Sequence, residues 1–123
     1  MSKTVIGPYR ILRKLGEGGM GVVYLAEYTR LRRQVALKVL TDNRVEDRKL
    51  RQRFLAEARA ASALNHPNVC VIYDVGEDEE HHPYLAMEYV EGLTLQALLR
   101  EAPLEFAEIV EMSIQMADAL DAA

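Results

Sequence analysis

Cysteine, long apolar runs and basic-aromatic clusters are scarce in this chain, and each scarcity removes a class of protein. Cys70 is the only cysteine in 123 residues, so neither an internal disulfide nor a cysteine metal cluster is available. It sits in the apolar run Val69-Cys70-Val71-Ile72, which predicts a small core residue and not a reactive thiol. No apolar run approaches the ~20 residues needed to cross a bilayer, and the first residues, Met1 to Pro8, contain no secretory core. A reducing cytoplasm is the expected compartment. Lys and Arg form no stripe interleaved with aromatics, so nucleic acid is not an expected partner. There is no internal repeat or low-complexity tract.

What is present describes a folded domain. Half the residues are apolar and 28% are charged, which suits one globular domain or part of one. The net charge of −4 is unevenly spread. Residues 1–76 carry 14 Lys and Arg against 7 Asp and Glu, whereas residues 77–123 carry one Arg against 12 acids. A basic first half suits a polyphosphate ligand without proving one.

The periodicity predicts an α+β order. Strands are expected at Tyr9 to Gly16, Val22 to Glu27 and Gln34 to Leu40, the last two separated by a polar turn at Thr29 to Arg33. A polar linker from Asp42 to Lys49 leads into a helix from Arg48 to Leu64, with Asn43 or Asp47 as candidate caps. Leu50, Phe54, Ala58, Ala61 and Leu64 form its apolar face. His66-Pro67-Asn68 ends it, because proline cannot continue the ladder. Two more strands follow, Val69 to Val75 and Pro83 to Val90, around a charged loop at Gly76 to His82. Helices close the order at Leu93 to Arg100 and Leu104 to Ala123. The longer one has a broad apolar face of Phe106, Ile109, Val110, Met116 and Leu120.

Two features carry chemistry. Gly16-Glu17-Gly18-Gly19-Met20-Gly21 is a glycine-rich loop between two strands. It is either a phosphate cradle, with backbone N–H groups able to approach an anion closely, or a plain hairpin turn. A dinucleotide-binding βαβ unit would open a helix after the last glycine and place an acid ~20 residues on. Here Val22-Val23-Tyr24-Leu25 favours a strand, and the residue that follows at a distance is the cation Lys38. Lys38 lies in the apolar strand Val35-Ala36-Leu37-Lys38-Val39-Leu40, sharing a face with Ala36. Such a lysine needs a partner or a path to solvent. Either it guards an edge and snorkels, or it pairs with a carboxylate, for which Glu57 is the candidate.

Together these residues resemble a known family. Gly16 to Tyr24, Val35-Ala36-Leu37-Lys38, Phe54-Leu55-Ala56-Glu57-Ala58, Leu64 to Val69 and Met87-Glu88-Tyr89-Val90-Glu91-Gly92 stand in the order and at the spacing of protein kinases. The chain looks most like the N-terminal lobe of the bacterial eukaryotic-like (Hanks-type) serine/threonine kinases. The resemblance implies a five-stranded antiparallel sheet with one regulatory helix in residues 1–90. Residues 91–123 would then hold the hinge end and the first helices of an incomplete C-lobe. It also implies ATP as ligand, with Mg²⁺ and a protein substrate in the complete enzyme. Gly16, Glu17, Gly18, Gly19, Met20 and Gly21 would cover the phosphates. Lys38 would contact them, held by Glu57. Leu15, Val23 and Ala36 would line the adenine slot, with Met87 at its back. The Glu88 carbonyl and the Val90 N–H would pair with the adenine edge. His66-Pro67-Asn68 would have a structural role only.

Two lookalikes are set aside. Asp74-Val75-Gly76 imitates the metal-binding D-F-G triplet but precedes the hinge, so it reads as a strand end. His81-His82 lies among Glu77, Asp78, Glu79 and Glu80 without a spaced second pair, which makes a solvated loop the better reading than a metal site. An H-R-D loop, its metal-binding Asn and a true D-F-G are absent from these residues. The chain alone is therefore expected to be inactive, and residues 104–120 are expected to self-associate where their apolar face lacks a cover. Two other readings are a freestanding non-catalytic kinase-like module that binds a partner kinase, and an unrelated nucleotide-binding α+β protein. Serine/threonine versus tyrosine specificity is not readable from this half of the pattern.

Overall fold

The computed structural model describes residues 4–18, 21–40 and 48–123. Gly19, Met20 and the candidate caps Asn43 and Asp47 lie outside them. The described chain forms β1 (Val5–Ile6), β2 (Tyr9–Gly18), β3 (Gly21–Tyr28), β4 (Arg33–Val39), α1 (Arg48–Ser62), β5 (Ile72–Glu77), β6 (Pro83–Glu88), α2 (Leu95–Glu101) and α3 (Phe106–Ala122). The strands make one six-stranded sheet in the order β1-β2-β3-β4-β6-β5, antiparallel at every pairing. The expected five strands are present, and the two-residue β1 is an addition. Val5–Ile6 is too short to show alternation, and it becomes a strand only by pairing with Tyr9 and Arg10.

Alternation divides the sheet into two faces. Ile6, Tyr9, Ala26, Val35, Leu37, Val39, Tyr84 and Ala86 pack together as a buried cluster on one of them. Tyr9 sits edge-on to Tyr84 with ring centroids 5.6 Å apart and tilted to Tyr28 at 5.5 Å, spacings at which aromatic pairs attract beyond simple burial. The Tyr9 hydroxyl donates to Asp74 on β5 at 2.9 Å. That bond joins β2 to the far edge strand, so the sheet curls around its core. Asp74 is thereby a strand residue with a structural partner.

Helix α1 buries Phe54 and Ala58, four residues apart on the face expected from the sequence, and packs on β5 and β6. Strand β5 begins at Ile72, later than the apolar run suggests. The His66 turn, closed by Val69 N–H to the His66 carbonyl at 3.1 Å, redirects the chain first. Val71 is then held partly by a side chain, its N–H donating to Glu88 Oε1 at 3.3 Å. Cys70 is exposed, which corrects the expected core placement. Its thiol donates to the Glu88 carbonyl at 3.4 Å. Partial burial of the sulfur, then the Glu88 charge, pushes its pKa up, which disfavours the reactive thiolate.

The charged segment between β5 and β6 is a built turn. Asp78 is buried, and its Oδ1 accepts the N–H groups of Glu80 at 2.9 Å and His82 at 2.8 Å. Its Oδ2 lies 2.9 Å from His82 Nδ1. A carboxylate only accepts, so Nδ1 is the nitrogen carrying the proton. Helix α2 is capped by Thr94, whose hydroxyl accepts from Ala97 N–H at 3.1 Å. The α3 entry is tied by Glu105 N–H to Glu108 Oε1 at 3.3 Å. No helix among the described residues is long and apolar enough to cross a membrane.

Candidate nucleotide site

The strand register assembles the site. Gly16 pairs with Val23 across β2 and β3, Val23 with Lys38 across β3 and β4, and Lys38 with Leu85 across β4 and β6. The neighbouring row runs Leu25, Ala36, Met87. Directly paired residues project to the same side, and so do residues two apart on one strand. Val23, Lys38, Ala36 and Met87 therefore form one patch on the face opposite the Leu37 core. Leu15 stands outside these pairings. The register slips between Lys14 and Gly16, so Leu15 is the extra residue of a bulge, the device by which a strand re-aims a side chain.

The glycines differ in what surrounds them. A Cβ built on Gly16 or Gly18 meets no atom within 4 Å, so the loop leaves open space beside its backbone, as a phosphate cradle requires. At Gly21 a Cβ would lie 2.0 Å from the Val39 carbonyl oxygen. There glycine is needed for β3 to approach the end of β4. Glu17 is exposed and ion-paired with Lys14. Its pKa is lowered by the hydrogen bond from Lys14 and then by the Lys14 charge. The Lys14 ammonium is thus engaged on the loop itself, while Lys38 is half-buried within the patch.

The expected Lys38–Glu57 pair is not formed. Glu57 is exposed and accepts from Arg53 Nε at 3.1 Å. Phe54 and Ala58 set the helix face toward the sheet. Glu57 flanks that face, and its nearest cation is one turn back along its own helix. The sequence reading did not pair Glu57 with Arg53, although the Arg-to-Glu spacing of four was the available signal. An exposed pair of this kind contributes only ~0.3–0.5 kcal/mol, too little to commit Glu57 to it.

At the end of β6, Glu88 N–H donates to the Val71 carbonyl at 2.8 Å. The Glu88 carbonyl, already accepting from Cys70, keeps a second lone pair. Val90 is exposed beyond the strand, and Gly92 takes a φ of 131° that favours glycine. Tyr89 OH accepts from Arg13 at 3.4 Å, a link between β2 and the β6 exit that carries no sequence signal. Two cavities accompany the patch, and the first reaches the β6 exit, where Glu88 and Val90 line it. One of about 440 Å³ separates residues 67–70 from Met112, Gln115 and Met116. The other, about 330 Å³, opens beside Tyr9, Tyr28, Val35 and Asp74 on the core side.

Comparison with known proteins gives a consistent result. Residues 9–122 match the protein kinase domain family. The chain is 42% identical over 121 residues to the serine/threonine-protein kinase PrkC of Bacillus subtilis, covering 98% of this chain and 18% of that protein. It is 42% identical over 118 residues to the serine/threonine-protein kinase PknD of Mycobacterium tuberculosis, covering 95% of this chain and 18% of that protein. The chain thus spans less than a fifth of the length of either relative. Among solved structures, the PknI kinase domain of Mycobacterium tuberculosis superposes with a TM-score of 0.82 at 32% identity, covering 99% of this chain and 50% of that one.

Proposed function

The chain belongs to the protein kinase family, and we propose that residues 1–123 are the ATP-binding portion of a serine/threonine protein kinase. ATP would supply the γ-phosphoryl group that passes to a serine or threonine hydroxyl of a protein substrate. In this reading the backbone of Gly16 to Gly21 covers the phosphates, and Lys38 neutralises them. Leu15, Val23, Ala36 and Met87 sandwich the base, while the Glu88 carbonyl and Val90 N–H hold its edge. Glu57 acts as the partner of Lys38 after leaving Arg53. Residues 1–90 are the N-lobe, residues 91–123 the hinge end and first helices, and the compartment is the cytoplasm. Mg²⁺ belongs with the catalytic-loop Asn and D-F-G Asp of complete kinases, motifs that these residues do not contain. Taken alone, residues 1–123 therefore transfer no phosphoryl group.

The observation that carries this reading is the single patch of Val23, Lys38, Ala36 and Met87 set beside the open backbone of Gly16 and Gly18. Titration of a fluorescent ATP analogue against the parent and Lys38→Met tests it. Loss of one charge-assisted contact, ~1.5–3 kcal/mol, weakens binding by about 10-fold to 100-fold with no loss of thermal stability. Equal affinity in the two proteins would show the role of Lys38 to be wrong. In the full-length protein the same substitution abolishes turnover, and Glu57→Gln is milder because the amide still accepts a hydrogen bond.

A second reading, a non-catalytic module docked on a partner kinase, draws on the exposed Phe106, Ile109, Ile114 and Leu120 of α3. The same face would drive self-association of residues 104–120. Sedimentation of residues 1–123 over a concentration series separates a monomer from either outcome.

A further inference from the structure

The cavity of about 330 Å³ on the core side of the sheet has no part in the nucleotide patch. Its size lies at the small end of ligand clefts, which run from about 300 to 1,000 Å³. Strand register builds one wall. Tyr9 pairs with Tyr28 across β2 and β3, and Tyr28 pairs with Arg33 across β3 and β4. Directly paired residues share a face, and Val35, two residues on from Arg33, shares it too. That face is the one bearing Leu37, opposite Lys38.

A bulge builds the other wall. Ile72 pairs with Met87 and Asp74 with Ala86, so two steps along β5 answer one along β6, and Tyr73 is the extra residue. In a regular strand Tyr73 and Asp74 would point to opposite faces. Here both line the cavity, because a bulge re-aims a side chain. Leu31 adds exposed aliphatic surface to the lining.

The two charged side chains are held in place with bonding capacity to spare. Asp74 Oδ2 accepts from the Tyr9 hydroxyl at 2.9 Å and Oδ1 from the Val75 N–H at 2.9 Å, and each oxygen keeps a lone pair. The Arg33 guanidinium lies 4.3 Å from the centre of the Tyr73 ring and donates to the Tyr73 hydroxyl. Its other N–H groups can still meet a carboxylate. Among the described residues neither charge has an ion-pair partner, although both line the same cavity. An anion alone would sit beside Asp74, and a cation alone beside Arg33, each repelled by its like charge. A ligand carrying both charges satisfies the pair. The three phenol rings favour an aromatic group, since rings attract one another beyond simple burial.

We propose that this cavity binds a free α-amino acid with an aromatic side chain. Asp74 takes the ammonium, Arg33 takes the carboxylate, and the tyrosine rings with Leu31 and Val35 take the side chain. The site is separate from the nucleotide patch and does not rest on the kinase reading.

The test is ligand-detected NMR titration of the full-length protein without nucleotide. L-phenylalanine should saturate with a Kd of ~1 mM or below. 2-Phenylethylamine, which lacks the carboxylate, and 3-phenylpropionate, which lacks the ammonium, should each bind about 10-fold or more weakly, the loss of one charge-assisted contact. Arg33→Gln should weaken L-phenylalanine by about 10-fold and leave 2-phenylethylamine bound no more weakly than by the parent. Asp74→Asn should weaken L-phenylalanine to the same extent and spare 3-phenylpropionate. Its amide oxygen still accepts from Tyr9, so the sheet keeps that bond. No saturation by L-phenylalanine up to ~10 mM overturns the proposal. So does equal affinity for either single-charge analogue, or a folded variant that weakens all three ligands alike. If a variant unfolds, the analogue series on the parent decides.

Discussion

Replacing Gly21 by alanine sets a methyl carbon 2.0 Å from the Val39 carbonyl oxygen, 2.9 Å from the Val39 carbonyl carbon and 3.2 Å from Leu40 Cα. All three atoms are backbone, so no side chain can swing away. Restoring van der Waals contact near 3.5 Å moves one strand by roughly 1.5 Å. The displaced region is the end of the β3–β4 ladder, where Val22 pairs with Val39. Overpacking of this kind costs ~1–3 kcal/mol, and the ladder bond lost with it adds ~1 kcal/mol. The expected total, about 2–4 kcal/mol, is a large share of the ~5–15 kcal/mol that holds a domain folded. Gly18→Ala is the control. A Cβ there meets nothing within 4 Å, so the loss of unfolded-chain entropy leaves stability equal or raised by ~0.4–1 kcal/mol. Its methyl instead enters the space assigned to phosphate, and nucleotide affinity falls. Urea unfolding, with a slope of ~1–3 kcal/mol/M, should place the Gly21→Ala midpoint about 1–2 M below the parent. Parent-like stability for Gly21→Ala, or equal destabilisation by Gly18→Ala, would refute the reasoning from close approach.

Three further outcomes are expected. Burial first, and then the hydrogen bond to the Asp74 carboxylate and its charge, hold the Tyr9 pKa well above its ordinary value. The neutral phenol therefore stabilises the fold fully below the unfolded pKa of ~10, and that contribution is lost as pH rises beyond it. Burial and the Asp74 charge raise Tyr84 in the same direction, so Tyr9→Phe should reduce, without abolishing, the alkaline fall in melting temperature. Asp78→Ala leaves the turn N–H groups of Glu80 and His82 without their acceptor and should cost about 1–3 kcal/mol in chemical denaturation. Asp78→Asn should cost less than half of that, and equal losses would count against the hydrogen-bond account. Arg53→Ala should change stability by less than about 0.5 kcal/mol. It should raise the yield of a zero-length carbodiimide cross-link between Glu57 and Lys38, and an unchanged yield would mean that Arg53 does not compete for Glu57.

Strand identity was legible in the sequence because alternation and glycine punctuation are local. Val22 to Glu27 and Pro83 to Val90 read as strands from their own residues, the second ending at Glu88 in the structure, and Phe54 and Ala58 read as one helix face. Ala36 and Lys38 read as one face for the same reason, since period two places side chains along a single strand, whereas Val23 joins them only through the β3–β4 register. Several features were decided by contacts between distant segments. The strand Val5–Ile6 exists only against Tyr9 and Arg10, and the curl of the sheet depends on the Tyr9–Asp74 bond across 65 residues. Cys70 has apolar neighbours in sequence yet is exposed in space, because the His66 turn redirects the chain before β5 starts. Glu57 was a plausible partner for Lys38 by chemistry. Side-chain direction on α1 gave it to Arg53 instead, a local i, i+4 pair that the helical spacing allowed but the long-range argument passed over.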